Sequence, residues 1–87
     1  MVTAADVTPD GKKLAVLTYD AIWLFEVSDG SDDYFNGKIS WLLIRAEQCE
    51  GICFDGDTLI ITNEQENLFK VPLSRLVEYG EQKILWH

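Results

Sequence analysis

The side chains that could perform chemistry are few and lie far apart in the sequence. The single histidine, His87, is the last residue, whereas a Ser-His-acid site needs an imidazole held beside the nucleophile. The sequence contains no G-x-S-x-G turn, no phosphate-binding G-x-x-x-x-G-K-S/T loop and no G-x-G-x-x-G motif. Acyl transfer and nucleotide binding therefore have no supporting motif, and we predict that the chain is not an enzyme.

Calcium is the one cofactor for which the sequence offers candidate ligands, since this ion prefers six to eight oxygen ligands. Acidic side chains occur close together in a polar segment and again near a turn, but neither group has the spacing of an EF-hand loop. A solvated turn is the favoured interpretation of both, so we expect no cofactor. The candidates are Asp29, Asp32 and Asp33 in the first group and Asp55 and Asp57 in the second.

The two cysteines, Cys49 and Cys53, are four positions apart in a segment that is typical of a strand. That spacing separates them by about 13 Å along a strand, whereas a disulfide requires Cα atoms within about 7 Å. On a helix they would be close together, but a zinc site would still lack histidine partners. We therefore predict two buried free thiols.

Three residues are candidates for ligand recognition. Tyr34 and Phe35 are aromatic residues in an otherwise polar loop, and exposed aromatic side chains often mark interfaces. Glu50 lies on a predicted strand and aligns with Ala5 in the repeat described below, so it could face a central channel. The alternative for Glu50 is a solvent-facing position at a strand end. The tryptophans Trp23 and Trp41 are expected in the core.

Short apolar runs separated by turn residues predict eight strands that must position these side chains. A helical turn is predicted between Pro72 and Gly80, where Leu73, Leu76 and Val77 have helical spacing. The predicted strands cover residues 3–8, 14–19, 22–27, 39–45, 49–54, 58–62, 67–71 and 83–86.

The sequence repeats itself once. The Asp10-Gly11 pair recurs 45 positions later as Asp55-Gly56, and the L-F-x-V run at 24–27 recurs 44 positions later. This period is typical of a propeller blade. We therefore predict an all-β fold of two four-stranded antiparallel β-propeller blades, residues 1–45 and residues 46–87.

Some predicted strands are apolar on both faces. In residues 22–25, which read I-W-L-F, successive side chains point to opposite sides of the sheet and all four are apolar. Such strands need a packed layer on each face, and repeat units usually need at least three neighbours. The expected partners are therefore further blades, from more sequence of the same protein or from other copies of this chain.

Residues 8–15, which read T-P-D-G-K-K-L-A, resemble the S-P-D-G-K-x-L-A motif of TolB-like bacterial propellers. Residues 50–64 are similar to the E-G-I…D-G-x-x-L pattern of esterase-like phytase and SdiA-regulated propellers. The resemblance implies a propeller fold and favours the bacterial periplasm or the extracellular space. It transfers no catalytic residue.

The charge excludes several classes of partner. The chain has 87 residues, 15 acidic against 7 basic side chains, and a formal net charge of −8. Such a chain repels nucleic-acid backbones and anionic lipid surfaces, and no run approaches the roughly 18 apolar residues of a membrane span. We predict a non-enzymatic scaffold that binds proteins or ligands. The alternative is a fragment of a propeller hydrolase whose active site lies in blades outside this chain.

Overall fold

The computed structural model describes residues 2–27, 37–44 and 49–79. These residues form an all-β structure of eight strands in two antiparallel sheets. Sheet A has the order β1-β2-β3-β4-β8 and sheet B the order β5-β6-β7. A short 3-10 helix, Leu73–Arg75, connects the last two strands. The strands are β1 (Val2–Val7), β2 (Lys13–Thr18), β3 (Ala21–Glu26), β4 (Lys38–Leu43), β5 (Cys49–Asp55), β6 (Thr58–Asn63), β7 (Leu68–Pro72) and β8 (Val77–Glu78).

The all-β prediction is confirmed, but the two sheets do not have four strands each. After β7 the chain leaves sheet B and pairs with the edge of sheet A, where Val77 lies opposite Trp41 and Glu78 opposite Ser40. Sheet A therefore gains a fifth strand, and sheet B has three strands in the described part of the chain. The run predicted as a strand at 83–86 lies outside the described residues.

The helical turn predicted between Pro72 and Gly80 is shorter than expected. The 3-10 helix has three residues, Leu73–Arg75, and Leu76 is already extended, with φ −78° and ψ 142°. Tyr79, which follows β8, is again helical. Val77, which was expected on the helical turn, lies in β8 instead. Pairing with the otherwise open edge of β4 supplies backbone hydrogen bonds that a single helical turn at this position would leave unmade.

The core lies between the two sheets. Each sheet contributes one face, because side chains alternate along a strand. Leu17, Ile22, Leu59 and Ile61 have their side chains fully buried, two from each sheet. At about 25 cal/mol per Å² of buried apolar area, each such side chain stabilises the fold by roughly 1.5–3 kcal/mol. The buried core residues are Ala15, Leu17 and Ile22 from sheet A and Cys49, Ile52, Leu59 and Ile61 from sheet B.

The two Asp-Gly hairpins differ in length. Gly11 and Gly56 both adopt positive φ, at 75° and 58°, which is the role expected of glycine in these turns. In sheet A, however, the Thr8 N–H donates to the carbonyl of Lys13 at 2.9 Å, so the loop between them has four residues. In sheet B, Asp55 lies opposite Thr58, which leaves a loop of two residues.

This difference changes the alignment of the first strands. Ala5 lies opposite Val16 in the regular part of the β1–β2 pairing. Glu50 lies instead at an irregularity in the pairing of β5, between Cys49 and Gly51. The sequence alignment of Glu50 with Ala5 is therefore wrong, because the shorter turn shifts β5 relative to β6.

A side chain links the two sheets at their first strands. The backbone N–H of Phe54 on β5 donates to Oδ2 of Asp6 on β1 at 3.0 Å. The bond satisfies a donor at the edge of sheet B, and the carboxylate makes it a charge-assisted bond. Within the described residues, no helix is both long enough and apolar enough to cross a lipid bilayer.

Candidate functional site

Most of the side chains predicted to bind ligands lie outside the described residues. This holds for the calcium candidates Asp29, Asp32 and Asp33 and for the aromatic pair Tyr34 and Phe35. Glu50 is described, and its side chain is exposed on β5.

The second acidic candidate, Asp55 and Asp57, lies at the exposed hairpin between β5 and β6. The carbonyl oxygen of Asp57 accepts a hydrogen bond from the N–H of Leu73 at 2.8 Å, so the residue helps to hold the end of β7. In the described ranges, no three His, Cys, Asp or Glu side chains lie close enough together to hold a metal ion.

Cys49 and Cys53 are both free thiols, as predicted, but only Cys49 is buried. Cys53 is exposed because it lies opposite Ile60 on the face of sheet B that points away from the core. The prediction of two buried thiols is wrong for this residue. Burial raises the pKa of the Cys49 thiol, which keeps it protonated and unreactive at neutral pH.

The outer face of sheet A is an apolar surface of the described strands. This face points away from sheet B and is formed by every second residue of β2, β3 and β4. Across these three strands, Val16 lies opposite Trp23, and Trp23 lies opposite Trp41. All six side chains are partly exposed. They are Leu14, Val16, Trp23, Phe25, Ile39 and Trp41.

Three aromatic rings form a cluster on this face. The rings of Trp23 and Trp41 stack with centroids 5.5 Å apart and planes 19° apart. Tyr79, which follows β8, meets Trp23 edge-on at 5.4 Å and Trp41 edge-on at 6.1 Å. Both arrangements are favourable for aromatic pairs. The expectation that the two tryptophans lie in the core is therefore wrong: they lie on the outer face.

The cluster leaves one buried polar atom without a partner. Nε1 of Trp41 is inaccessible to solvent and has no hydrogen-bond acceptor in the described part of the chain. Beside it lies a groove of about 260 Å³, lined by Trp41, Leu42, Leu43 and Val77. An apolar surface with a groove and a free indole donor can pack against an apolar partner that brings a carbonyl or hydroxyl oxygen.

Sequence reasoning missed the contribution of Tyr79 and Val77 to this surface. Both were expected within the helical turn between Pro72 and Gly80; Tyr79 is helical, whereas Val77 lies in β8. Val77 and Glu78 form β8 and Tyr79 follows as a helical residue, so the alternation apolar, acidic, apolar over these three residues does not mark a single strand. A run of three residues is too short to decide between helix and strand by itself.

The outer face of sheet B is more polar than the outer face of sheet A. Two pairings define it, Cys53 with Ile60 and Ile60 with Lys70. Thr58 and Thr62 lie on the same face of β6, on either side of Ile60. The two outer faces therefore differ in polarity.

Comparisons of this chain with protein-family models, with curated proteins and with solved structures find no significant match.

Proposed function

We propose that this chain is a non-enzymatic interaction scaffold of the β-propeller type, in which the outer face of sheet A packs against the sheet of a further blade. One observation carries the proposal: six apolar side chains on three adjacent strands are only partly buried. Contiguous apolar surfaces of this kind mark interaction sites in soluble proteins.

The packing of sheet B on sheet A shows the mode of contact that we propose for the outer face. The inner faces meet through branched aliphatic side chains such as Leu17 and Ile61. The outer face of sheet A presents side chains of the same class, with Trp23 and Trp41 added. A third sheet on this face would give β3 a packed layer on both sides, as its apolar sequence requires.

A second copy of this chain supplies the further blade when no other is present. Within a ring, the outer face of sheet A would meet the outer face of sheet B of the next copy, where Ile60 and Cys53 are the apolar contacts. Such a head-to-tail contact closes into a ring when the rotation between copies is constant. Three copies would provide six blades and four would provide eight.

Light scattering coupled to size-exclusion chromatography tests the proposal. The full chain should elute with the mass of three or four chains at about 100 µM, well above the dissociation constant of a standard interface. Trp23→Lys should elute as a monomer, because a buried, unpaired ammonium in the interface is strongly unfavourable.

One further variant tests a second position on the same face, and another serves as the control. Leu43→Lys changes a side chain that is 63% exposed, so it should also yield a monomer without unfolding the chain, as checked by circular dichroism. Gln65→Lys adds the same charge at the exposed turn between β6 and β7 and should leave the mass unchanged. A folded wild-type chain that stays monomeric at this concentration would overturn the proposal.

A further inference from the structure

The outer edge of β7 has no partner among the described strands, in contrast to the two strand edges compared with it below. At the edge of sheet A, β8 covers β4. At the opposite edge of sheet B, the N–H of Phe54 on β5 is bonded to Asp6. Strand β7 pairs with β6 on one side, and no described strand pairs with its other side.

Hydrogen bonds at the two ends of the β6–β7 pair show which backbone groups of β7 point outward. The N–H of Asn63 donates to the carbonyl of Asn67 at 3.2 Å, and the N–H of Leu73 donates to the carbonyl of Asp57 at 2.8 Å. Bonded and non-bonded pairs alternate in an antiparallel ladder. Phe69 and Val71 therefore bond to β6, whereas the N–H and C=O groups of Leu68 and Lys70 point away from it.

The side chains beside this edge form an apolar groove. Phe69 and Val71 point toward sheet A and line a groove of about 250 Å³ together with Leu42, Ile44 and Arg75. Phe69 remains 41% exposed. The side chain of Lys70 points to the opposite face of sheet B, next to Ile60 across the strand pair.

We propose that the outer edge of β7 binds an extended peptide of another protein as an additional strand, and that it selects the pattern apolar–acidic–apolar. The acidic side chain of the peptide would lie beside Lys70 on the outer face of sheet B. Its two apolar neighbours would then point into the groove beside Phe69 and Val71. Main-chain bonds to Leu68 and Lys70 would supply affinity, and the side chains would supply specificity.

Lys70 disfavours pairing of β7 with the same strand of a second copy. The antiparallel register that pairs most residues of two β7 strands places Lys70 directly opposite its copy and Leu68 opposite Pro72. Two ammonium groups in that position repel each other, and lysine on an edge strand commonly prevents such edge-to-edge pairing. The same charge favours a partner strand with a carboxylate.

Titration of the full-length, 15N-labelled chain with two capped peptides tests the proposal by NMR. The probes are Ser-Thr-Val-Glu-Val-Thr-Ser and its match with lysine in place of glutamate. The glutamate peptide should shift the amide signals of Leu68–Val71 and Leu42–Ile44 and bind about fivefold more tightly, since an opposite-charge cross-strand pair is worth up to about 1 kcal/mol. Peptide binding should also slow hydrogen exchange at Leu68 and Lys70.

Two variants of one residue make the test specific. Lys70→Glu should reverse the preference, so that the lysine peptide binds more tightly. Lys70→Pro should abolish binding of both peptides, because it removes an outward N–H that the ladder with β6 does not use. If Lys70→Pro does not fold, as judged by circular dichroism, the proposal is tested by whether Lys70→Glu reverses the peptide preference.

Three results would overturn the proposal. One is the absence of shifts at β7 at about 5 mM peptide, beyond the range of specific strand addition. Another is slow exchange of the Leu68 and Lys70 amides in the free chain at every concentration, which would mean that residues 80–87 occupy the edge. The last is exchange that slows as the protein concentration rises, which would identify a second copy as the occupant.

Discussion

Sheets A and B are built alike but expose different surfaces. The strand triplets β1-β2-β3 and β5-β6-β7 are both antiparallel meanders, and their inner faces form one core. Sheet A covers its β4 edge with β8 and leaves an apolar outer face. Sheet B has a more polar outer face, and no other described strand pairs with the outer edge of its β7. The two sheets thus share one core, and the contacts that we propose for them differ: face-to-face packing for sheet A and strand addition for sheet B.

The cause of this difference lies in the path of the chain after the third strand. After β3 the chain returns as β4, which brings Trp41 beside Trp23. After β7 the 3-10 helix redirects the chain, and β8 pairs with β4 of sheet A. The two residues of β8 therefore extend sheet A, and the outer edge of β7 has no strand partner in the described part of the chain.

The largest effect is expected where the two sheets are equivalent, in the shared core. Leu17→Ala in sheet A and Leu59→Ala in sheet B should each reduce the free energy of unfolding by about 2–5 kcal/mol, because both side chains are fully buried. Urea unfolding measures this change. Leu68→Ala, at a leucine that is 55% exposed, should change it by only about 0.5 kcal/mol. A large loss in one sheet and a small one in the other would contradict a single shared core.

A smaller effect is expected at the bond that joins the first strands of the two sheets. Asp6→Ala removes the acceptor of the Phe54 N–H and should reduce the free energy of unfolding by about 1–3 kcal/mol. Asp6→Asn keeps a side-chain oxygen at this position and should cost less. Hydrogen exchange at the Phe54 amide should accelerate in Asp6→Ala. Equal effects of the two variants on stability and exchange would show that the bond does not link the sheets.

The aromatic cluster distinguishes the outer face of sheet A from that of sheet B. Tyr79→Leu removes two edge-on ring contacts and should reduce the free energy of unfolding by about 0.5–1.5 kcal/mol. The near-ultraviolet circular dichroism of the two tryptophans should change with it. Tyr19→Leu, at a tyrosine that is 64% exposed in the turn after β2, is the matched control and should leave both measurements nearly unchanged.

Local sequence patterns predicted most of the strands but not how many each sheet contains. Alternation, turn residues and apolar runs are local signals, and seven of the predicted strands appear within one or two residues of their expected ends. The pairing of β8 with β4 joins Val77 to Trp41, residues that are distant in sequence, so no local signal specifies it. The Asp-Gly pair does not by itself specify that the first hairpin is longer than the second, because Asp-Gly occurs in turns of several lengths.

The candidate site was harder to predict for a related reason. An apolar strand such as β3 shows that both of its faces avoid water, but it does not show which face the rest of the chain covers. Leu24 is buried and Trp23 is only partly so, although the sequence gives them the same apolar character. Burial depends on the position of the second sheet, which is a property of the whole fold.

The smallest effect concerns the two hairpins, whose turns are held in different ways. In sheet A, the hydroxyl of Thr8 donates to Oδ1 of Asp10 at 2.6 Å, and the N–H of Lys12 donates to the same oxygen at 2.9 Å. The hydroxyl of Thr8 also accepts a bond from the N–H of Lys13. Sheet B closes its hairpin with two residues and a glycine at positive φ.

These bonds lower the pKa of Asp10 below its ordinary value of 3.8, chiefly through the hydroxyl of Thr8 and then through the N–H of Lys12. A carboxyl with a lower pKa in the folded state stabilises the fold above the pKa of the unfolded chain. That contribution disappears as the pH falls through the folded pKa. Thr8→Val should therefore raise the pKa of Asp10 and flatten the dependence of stability on pH below about pH 4. Carboxyl carbon NMR measures the pKa directly.

The second turn of sheet A provides the matched control for this variant. The hydroxyl of Thr18 lies 3.3 Å from Oδ1 of Asp20, so Thr18→Val removes a similar group from the turn between β2 and β3. It should leave the pKa of Asp10 unchanged. If Thr8→Val also leaves that pKa unchanged, the Asp10 turn depends on its backbone, as the hairpin of sheet B does, and the two hairpins differ only in length.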